Sequence, residues 1–462
     1  MNVTINSGAG TQDDADVGGS RQRLEPRISR RAILLGAMGV AAGAGVSFGA
    51  APGALASAPP PRGTSGFAGG VDFASRAAYD HVEEALRPYG LEHETNDGRV
   101  LTWQSSYLNL SYVFMYQAHR DPVYLNRLIE HTDQVLASRD SERGVVDHYR
   151  GTSEPAWSAV RDENGFEARQ LDASHTGMII WPMVSFVRTV HETPPLLRLE
   201  PYASKAQEYL EAIQDAVAVH DIQYGETEEG FGYYQFLRGE HYDPDGIEYP
   251  HNKALAMGRV LIHLGAITGE QQYWDKASGL ARTFRSDLQV DEGGAYVWPY
   301  HWTQSWGYRG WTEDDDVSDN RDSFEGNPRI EDITHGALDI EFAVLAFRHN
   351  LVFDGQDMVR FARTFTQNLV ESTEDGGYRF WDNVDGTGDI GGESEESQAA
   401  YYLPLAHWDA EVAEVNHAVY AALGFPDSRT QMARMAAGSA HLNRWEKGAP
   451  AAPSAAYPPR TR

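Results

Sequence analysis

Histidine, carboxylate, amide and tyrosine side chains recur along this chain at the starts of successive apolar stretches. Trp103, Gln104 and Tyr107 open the first stretch, and Asp172, Ser174 and His175 open the second. Tyr249, His251, Asn252 and Lys253 open a third, Glu331, Asp332 and His335 a fourth, and Glu395, Glu396, Gln398 and Tyr401 a fifth. Such groups move protons near neutral pH and offset charge as it develops on a reacting ligand. Capping accounts for part of the pattern. Asp172, Ser174, Asp332 and Thr334 are good N-cap types, and acids at a helix start complement its macrodipole. Histidine is a poor cap, so His175 and His335 are either satisfied core residues or parts of a site. If the apolar stretches are parallel buried helices, all these groups meet at one polar, aromatic-lined mouth, the usual shape of a ligand site.

A second cluster is aromatic: Tyr296, Trp298, Tyr300, His301, Trp302, Trp306, Tyr308 and Trp311 fall within one loop-like segment. Flat rings pack on the C–H faces of sugars, and their N–H and O–H groups bond sugar hydroxyls. Local packing beneath the helices, or contact with protein or lipid, would use the same residues. The acidic run from Glu313 to Asp322 offers a Ca²⁺ site near Asp314–Asp322, although it lacks the glycine turn and final glutamate of an EF-hand. Read otherwise, it is a solvated acidic loop. No other cofactor is expected. The chain has no cysteine, which excludes thiol catalysis, disulfides and thiolate metal sites. Serine-hydrolase, zinc-protease, P-loop and dinucleotide signatures are absent.

The elements that position these groups read as helices in pairs. Residues 103–118 are followed by 123–138, 252–266 by 271–288, and 335–350 by 356–371. A fourth pair, 174–191 with 201–220, has a longer connection. Further candidates lie at 74–86, 397–408, 410–423 and 428–442. The first member of each pair is apolar nearly all round, as in Ala337, Leu338, Ile340, Phe342, Val344 and Leu345, and so is buried on every side. The second is striped and has one solvent face. Such alternation predicts an all-α fold, an (α/α)5–6 toroid of helical hairpins, incomplete or closed, with short strands in loops at 230–236 and 294–298. An open helical solenoid is the competing architecture.

The amino-terminal segment has another pattern. Arg21, Arg23 and Arg27 form a basic region, and Ser29, Arg30 and Arg31 begin a stretch that resembles the twin-arginine consensus. An uncharged, Gly-rich run follows, ending in Ala54, Ala56 and Ala58 where a signal peptidase could cut. Residues 1–58 therefore read as a twin-arginine signal peptide, 59–72 as a flexible linker, 73–445 as the toroid and 446–462 as a disordered tail. A membrane anchor is the alternative for the apolar run, which is weakly apolar for a stable span. The expected location is secreted or cell envelope, with the twin-arginine translocase as partner during export. With 67 acidic against 38 basic residues, a net charge of −29, the surface repels nucleic acid and anionic membranes. No second stretch is long and apolar enough for a mature membrane span.

Over residues 75–440 this layout resembles the α/α-toroid carbohydrate-active enzymes: polysaccharide lyases, glycoside hydrolases and uronyl epimerases. The repeated pairs carry the resemblance, for example Thr268, Gly269 and Glu270 followed by Tyr273 and Ala277, together with the aromatic loop and the export signal. It implies a polysaccharide substrate. A β-eliminating lyase on a uronate-containing glycan leads. In toroid lyases an Asn masks the uronate carboxylate while His or Tyr removes the C5 proton. The matching catalytic candidates are His335, Asn252, His251, Tyr249, Tyr300 and His175. Trp103, Tyr107, Lys253, Trp298, Trp302, Trp306, Arg309, Glu331 and Asp332 would bind substrate, with no metal, and Lys253, Arg309 or Arg329 would complete the neutralisation. The acidic overall charge opposes a polyanion. A glycoside hydrolase would instead need two carboxylates, available from Glu331, Asp332, Asp172 and Glu395. A non-catalytic glycan-binding protein is the third reading.

Overall fold

The computed structural model describes residues 72–163, 166–374 and 376–448. The export signal, nearly all of the linker and most of the tail lie outside the described residues. Residues 72–448 form a ring of helices in two layers.

The inner layer holds α2 (Ser106–His119), α4 (Ala173–Glu192), α6 (His251–Thr268), α8 (Ile333–Arg348), the 3₁₀ helix Ser397–His407 and α11 (Arg429–Gly448). Each packs on the next, and α11 packs back on α2, so the ring closes. The outer layer holds α1 (Arg76–Leu86), α3 (Pro122–Ala137), α5 (Tyr202–Ala218), α7 (Gln271–Ser286), α9 (Gly355–Arg363) and α10 (Glu411–Ala422). Among the described residues this is an (α/α)6 toroid. The amino-terminal α1 backs the carboxy-terminal α11, so the two ends of the described chain complete one hairpin between them.

The division into layers follows from side-chain pattern. From His251 to Gly265 every residue of α6 is buried, whereas α7 buries only the stripe containing Tyr273, Ala277, Leu280, Ala281 and Phe284. Tight inner-helix contact needs small residues. A Cβ on Gly177 of α4 would lie 2.7 Å from the backbone nitrogen of Met257 in α6, so glycine sets that spacing.

Connections at the two ends of the ring differ. Turns from inner to outer helices are short, as at Gly269–Glu270, where Gly269 takes φ +76° to end α6. Four of the return connections are long and carry antiparallel hairpins: β1/β2 (Ala159–Glu163, Phe166–Gln170), β3/β4 (Tyr224–Glu226, Gly232–Tyr234), β5/β6 (Gln289–Val290, Tyr296–Val297) and β7/β8 (Val370–Ser372, Tyr378–Phe380). The long connections stand over the amino-terminal ends of the inner helices. Function gathers on loops held by a rigid scaffold, which favours this mouth as the site.

Two elements depart from the periodic pattern. The expected helix 356–371 ends α-helical winding at Arg363, passes through a π-turn (Thr364–Leu369) and leaves as strand β7. The segment from Ser397 to His407 winds as a 3₁₀ helix around Pro404, which has no N–H for an α-ladder. Among the described residues no helix is long and apolar enough to cross a membrane.

Candidate active site

The start of α8 brings together the densest set of titratable groups at the loop-bearing mouth. Asp332 is the N-cap: its Oδ1 accepts from Thr334 N at 2.9 Å and from His335 N at 3.0 Å. Its other oxygen meets His335 Nδ1 at 2.5 Å. Capping and chemistry are therefore compatible here, because one carboxylate oxygen caps the helix while the other orients a histidine. Burial disfavours the imidazolium of His335, but the Asp332 charge outweighs it and holds the ring above its ordinary pKa. Burial would likewise raise Asp332, yet His335 and the backbone donors hold it well below the usual carboxylate range. The Asp332 side chain is 24% exposed and that of His335 12%, so both reach the mouth.

Glu331 points inward. Its Oε1 accepts from Asp332 N at 3.0 Å and lies 3.9 Å from His335 Nδ1. Asp339, two turns along α8, is fully buried and accepts from Trp298 Nε1 at 2.9 Å. Glu331 Oε2 and Asp339 Oδ1 meet no N–H or hydroxyl donor, so a proton held between the two carboxyls satisfies both. Burial, then the like charge of Asp339, keeps Glu331 well above its ordinary pKa. Burial likewise pushes Asp339 up to about 8. The ligand atoms of Glu331, Asp332 and His335 lie within 4.8 Å of one another, the reach needed to grip a divalent cation.

Tyr300 and Arg329 complete this corner. The Tyr300 ring lies edge-on to His335 with centroids 5.4 Å apart, and the Arg329 guanidinium sits 3.7 Å above the same ring. Backbone pairing of Pro299 with Ile330, and of Asp332 with Asn383, binds this strip to its neighbours.

A second polar group surrounds the start of α4. Asp172 caps it through Ser174 N at 2.8 Å and pairs with Arg161 at 3.4 Å and Lys253 at 3.6 Å. Lys253 is enclosed by Phe236, Tyr242 and Tyr249, its Nζ 5.1 to 5.9 Å from their centroids, and burial lowers its pKa well below the ordinary value. His175 stands edge-on to Trp103 with centroids 6.1 Å apart, and burial brings it down to about 3, so it is neutral at working pH. Trp103 and Gln104 belong to a π-turn, Leu101–Ser105, that leads into α2. Tyr107 packs edge-on against Tyr401.

Other groups from the sequence reading are committed elsewhere. His251 turns to Asp287, with Nε2 2.9 Å from Oδ2, and Tyr249 OH accepts from Ala173 N and Gln223 Nε2. Asn252 is buried beside them at the start of α6. His251 N also donates to Tyr300 O at 3.0 Å, which ties the start of α6 to the ring packed edge-on against His335. Trp298 packs against Phe284 and Phe361, and Trp302 stacks on Tyr233. Both rings are buried, Trp298 against α7 and α9 and Trp302 against the β3/β4 hairpin. Trp306 is only half-buried, and Arg309 lies over it at 4.7 Å. In the acidic loop, Arg238 engages Asp316 and Asp319, and Asp315 caps the turn at Thr312.

Asp339 was not singled out from the sequence, although the signal was present. Asp332, His335 and Asp339 fall at i, i+3 and i+7, one face of a helix, and an acid inside an apolar stretch needs a partner. Arg161 lies on β1 and has no comparable periodic signal.

No protein-family model matches the chain, and no curated protein matches it. Among solved structures, a family 76 glycoside hydrolase from a bovine Bacteroides thetaiotaomicron strain aligns over 81% of this chain and 79% of its own, at 12% identity and TM-score 0.49. The α-1,6-mannanase GH76A of Salegentibacter sp. HEL1_6 aligns over 80% of this chain and 99% of its own, at 14% identity and TM-score 0.45. A D-mannose isomerase aligns over 76% and 86%, at 13% identity and TM-score 0.45.

Proposed function

We propose that this chain is a carbohydrate-active enzyme that hydrolyses a glycan at the loop-bearing mouth of the toroid. The observation carrying the reading is the opposed electrostatics of neighbouring carboxyl groups, Glu331 raised and Asp332 lowered. Environments that drive two acids apart mark a proton donor and an ionised partner. Asp332, at the mouth, would face the anomeric carbon. Glu331, kept protonated beside Asp339, would supply the proton to the leaving oxygen after a side-chain rotation. Partly exposed Trp103 and Trp306 would stack on sugar rings.

A β-eliminating lyase is the second reading, favoured by one specific arrangement. Asp332 occupies His335 Nδ1, which leaves Nε2 as the base, and Arg329 beside Tyr300 would mask a uronate carboxylate.

Purified protein incubated with neutral and uronate-containing polysaccharides separates the two. New reducing ends without absorbance near 235 nm, lost in Asp332→Asn, support hydrolysis. Absorbance from an unsaturated uronate, lost in His335→Ala, supports the lyase and sinks the hydrolase. Export is proposed from the sequence alone. Replacing Arg30 and Arg31 by Lys should leave the protein in the cytoplasm on fractionation, and unaltered export would reject the twin-arginine route.

A further inference from the structure

At the mouth opposite the candidate active site, residues from all six inner elements line a cavity of about 250 Å³. Three of them are arginines, Arg188 from α4, Arg348 from α8 and Arg444 from α11, set against two carboxylates, Glu192 and Glu341. Both carboxylates are engaged. Glu341 pairs with Arg259, a buried residue outside the lining, and Glu192 accepts from Arg188 Nε at 2.6 Å. Arg188 is fixed further through Nη1, which donates to His263 Nδ1 at 2.9 Å and to His349 Nε2 at 3.1 Å. Burial keeps His263 and His441, the two histidines of the lining, neutral.

Arg444 is the group that these pairings leave over. Its guanidinium lies over the Phe114 ring at 4.7 Å and makes no hydrogen bond or ion pair among the described residues. Burial, then the like charges of Arg348 and Arg188, lowers its pKa to about 9. A cation enclosed among cations is costly unless an anion joins it. Helix capping does not account for the arrangement, because an arginine in that role bonds the last carbonyls of its helix, and Arg444 bonds none.

We propose that this cavity holds a free tetrahedral oxyanion of two charges, phosphate or sulfate, with Arg444 as its principal ligand inside the positive field of Arg188 and Arg348. Guanidinium forks match such oxygens in pairs. A carboxylate presents one planar fork, whereas a tetrahedral ion offers oxygens on several sides, which suits arginines entering from three walls. With about 30 Å³ for each water in the liquid, the volume admits the ion and part of its hydration. In a chain of net charge −29, the cavity is a local positive field that the surface does not provide. Bound there, the ion ties α4, α8 and α11 across the ring. The site shares no residue with Glu331, Asp332 or His335, so it stands independently of the hydrolysis reading.

Isothermal titration of the full chain at constant ionic strength with phosphate, sulfate, glycerol 3-phosphate, acetate and chloride tests the assignment. Phosphate or sulfate should bind saturably at millimolar concentration or below, with acetate and chloride weaker by about tenfold or more. Arg444→Gln should weaken the dianion by about tenfold or more. Arg444→Lys keeps the charge without the fork and should recover only part of that loss. Glu192→Gln removes an exposed countercharge from the rim and should tighten binding, which keeps the test decisive if the Arg444 variants fail to fold. No saturable heat from either dianion would overturn the proposal, as would affinity that survives Arg444→Gln or stays unmoved in Glu192→Gln. Acetate binding as tightly as phosphate would reject the tetrahedral ion. Glycerol 3-phosphate binding more tightly than phosphate would reject the free ion in favour of a phosphate carried on a larger molecule.

Discussion

Asp332 performs two tasks with its two oxygens, and substitutions can separate them. Asp332→Asn keeps an Oδ1 acceptor for the α8 cap but loses the charge that raises His335. It should cost about 10²–10⁴ in turnover with little change in melting temperature, whereas Asp332→Ala should lower both. Glu331→Gln preserves the shape of the protonated acid, so the fold should persist while turnover falls by a similar factor. Retention of activity in Glu331→Gln would remove it as proton donor. Beside the polar group at the start of α4, Glu240 is buried with Gln170 Nε2 3.0 Å from Oε2, and burial pushes its pKa up to about 8. The folded state therefore keeps a proton that the unfolded chain releases near pH 4.3, and stability should fall as pH rises from about 4 to about 8. Thermal melts of Glu240→Gln at about pH 5 and pH 8 should differ less than those of the native chain.

At the scale of the element, α4 and α6 are held at a spacing that only glycine permits. Gly177→Ala gains intrinsic helix propensity of about 1 kcal/mol but drives a methyl group into the Met257 backbone. Overpacking of this kind costs about 1–3 kcal/mol, so a lower melting temperature is expected. An unchanged one would mean that the two inner helices slide apart freely. The same elements explain which histidines remain available. His251 starts α6 facing outward and is taken by Asp287 in the loop after α7, whereas His335 starts α8 facing the mouth and is held there by its own cap.

At the scale of the molecule, ring closure makes the two ends of the described chain interdependent. α11 packs between α2 and the 3₁₀ helix, and α1 has α11 as its principal support. Ending the chain before residue 429 would expose the flanks of both neighbours and the face of α1 that packs on α11, leaving α1 held only through α2 and α3. Such a truncation should lose cooperative thermal unfolding and near-UV circular dichroism. A cooperative melt after truncation would show that five hairpins suffice. The two mouths also differ in kind: long hairpin-bearing loops build one, and short turns leave the other as a bare axial opening.

Much of the scaffold was legible from side-chain periodicity, because burial on one face or on all faces leaves a repeating record. Apolar runs at 252–266 and 335–350, and striped partners such as 271–288, read directly as inner and outer helices. The shared polar mouth was legible too, since inner helices that all run one way must bring Asp172 and Asp332 to one end. Which of those groups face one another was decided only in three dimensions. Trp298 turns inward to Asp339 and Lys253 enters an aromatic cage, while His251 leaves for Asp287, because loop segments distant in sequence supply their partners. The arginine-lined cavity is the clearest case of this kind. Arg188, Arg348 and Arg444 stand far apart in the chain, and only closure of the ring sets their charges around one space.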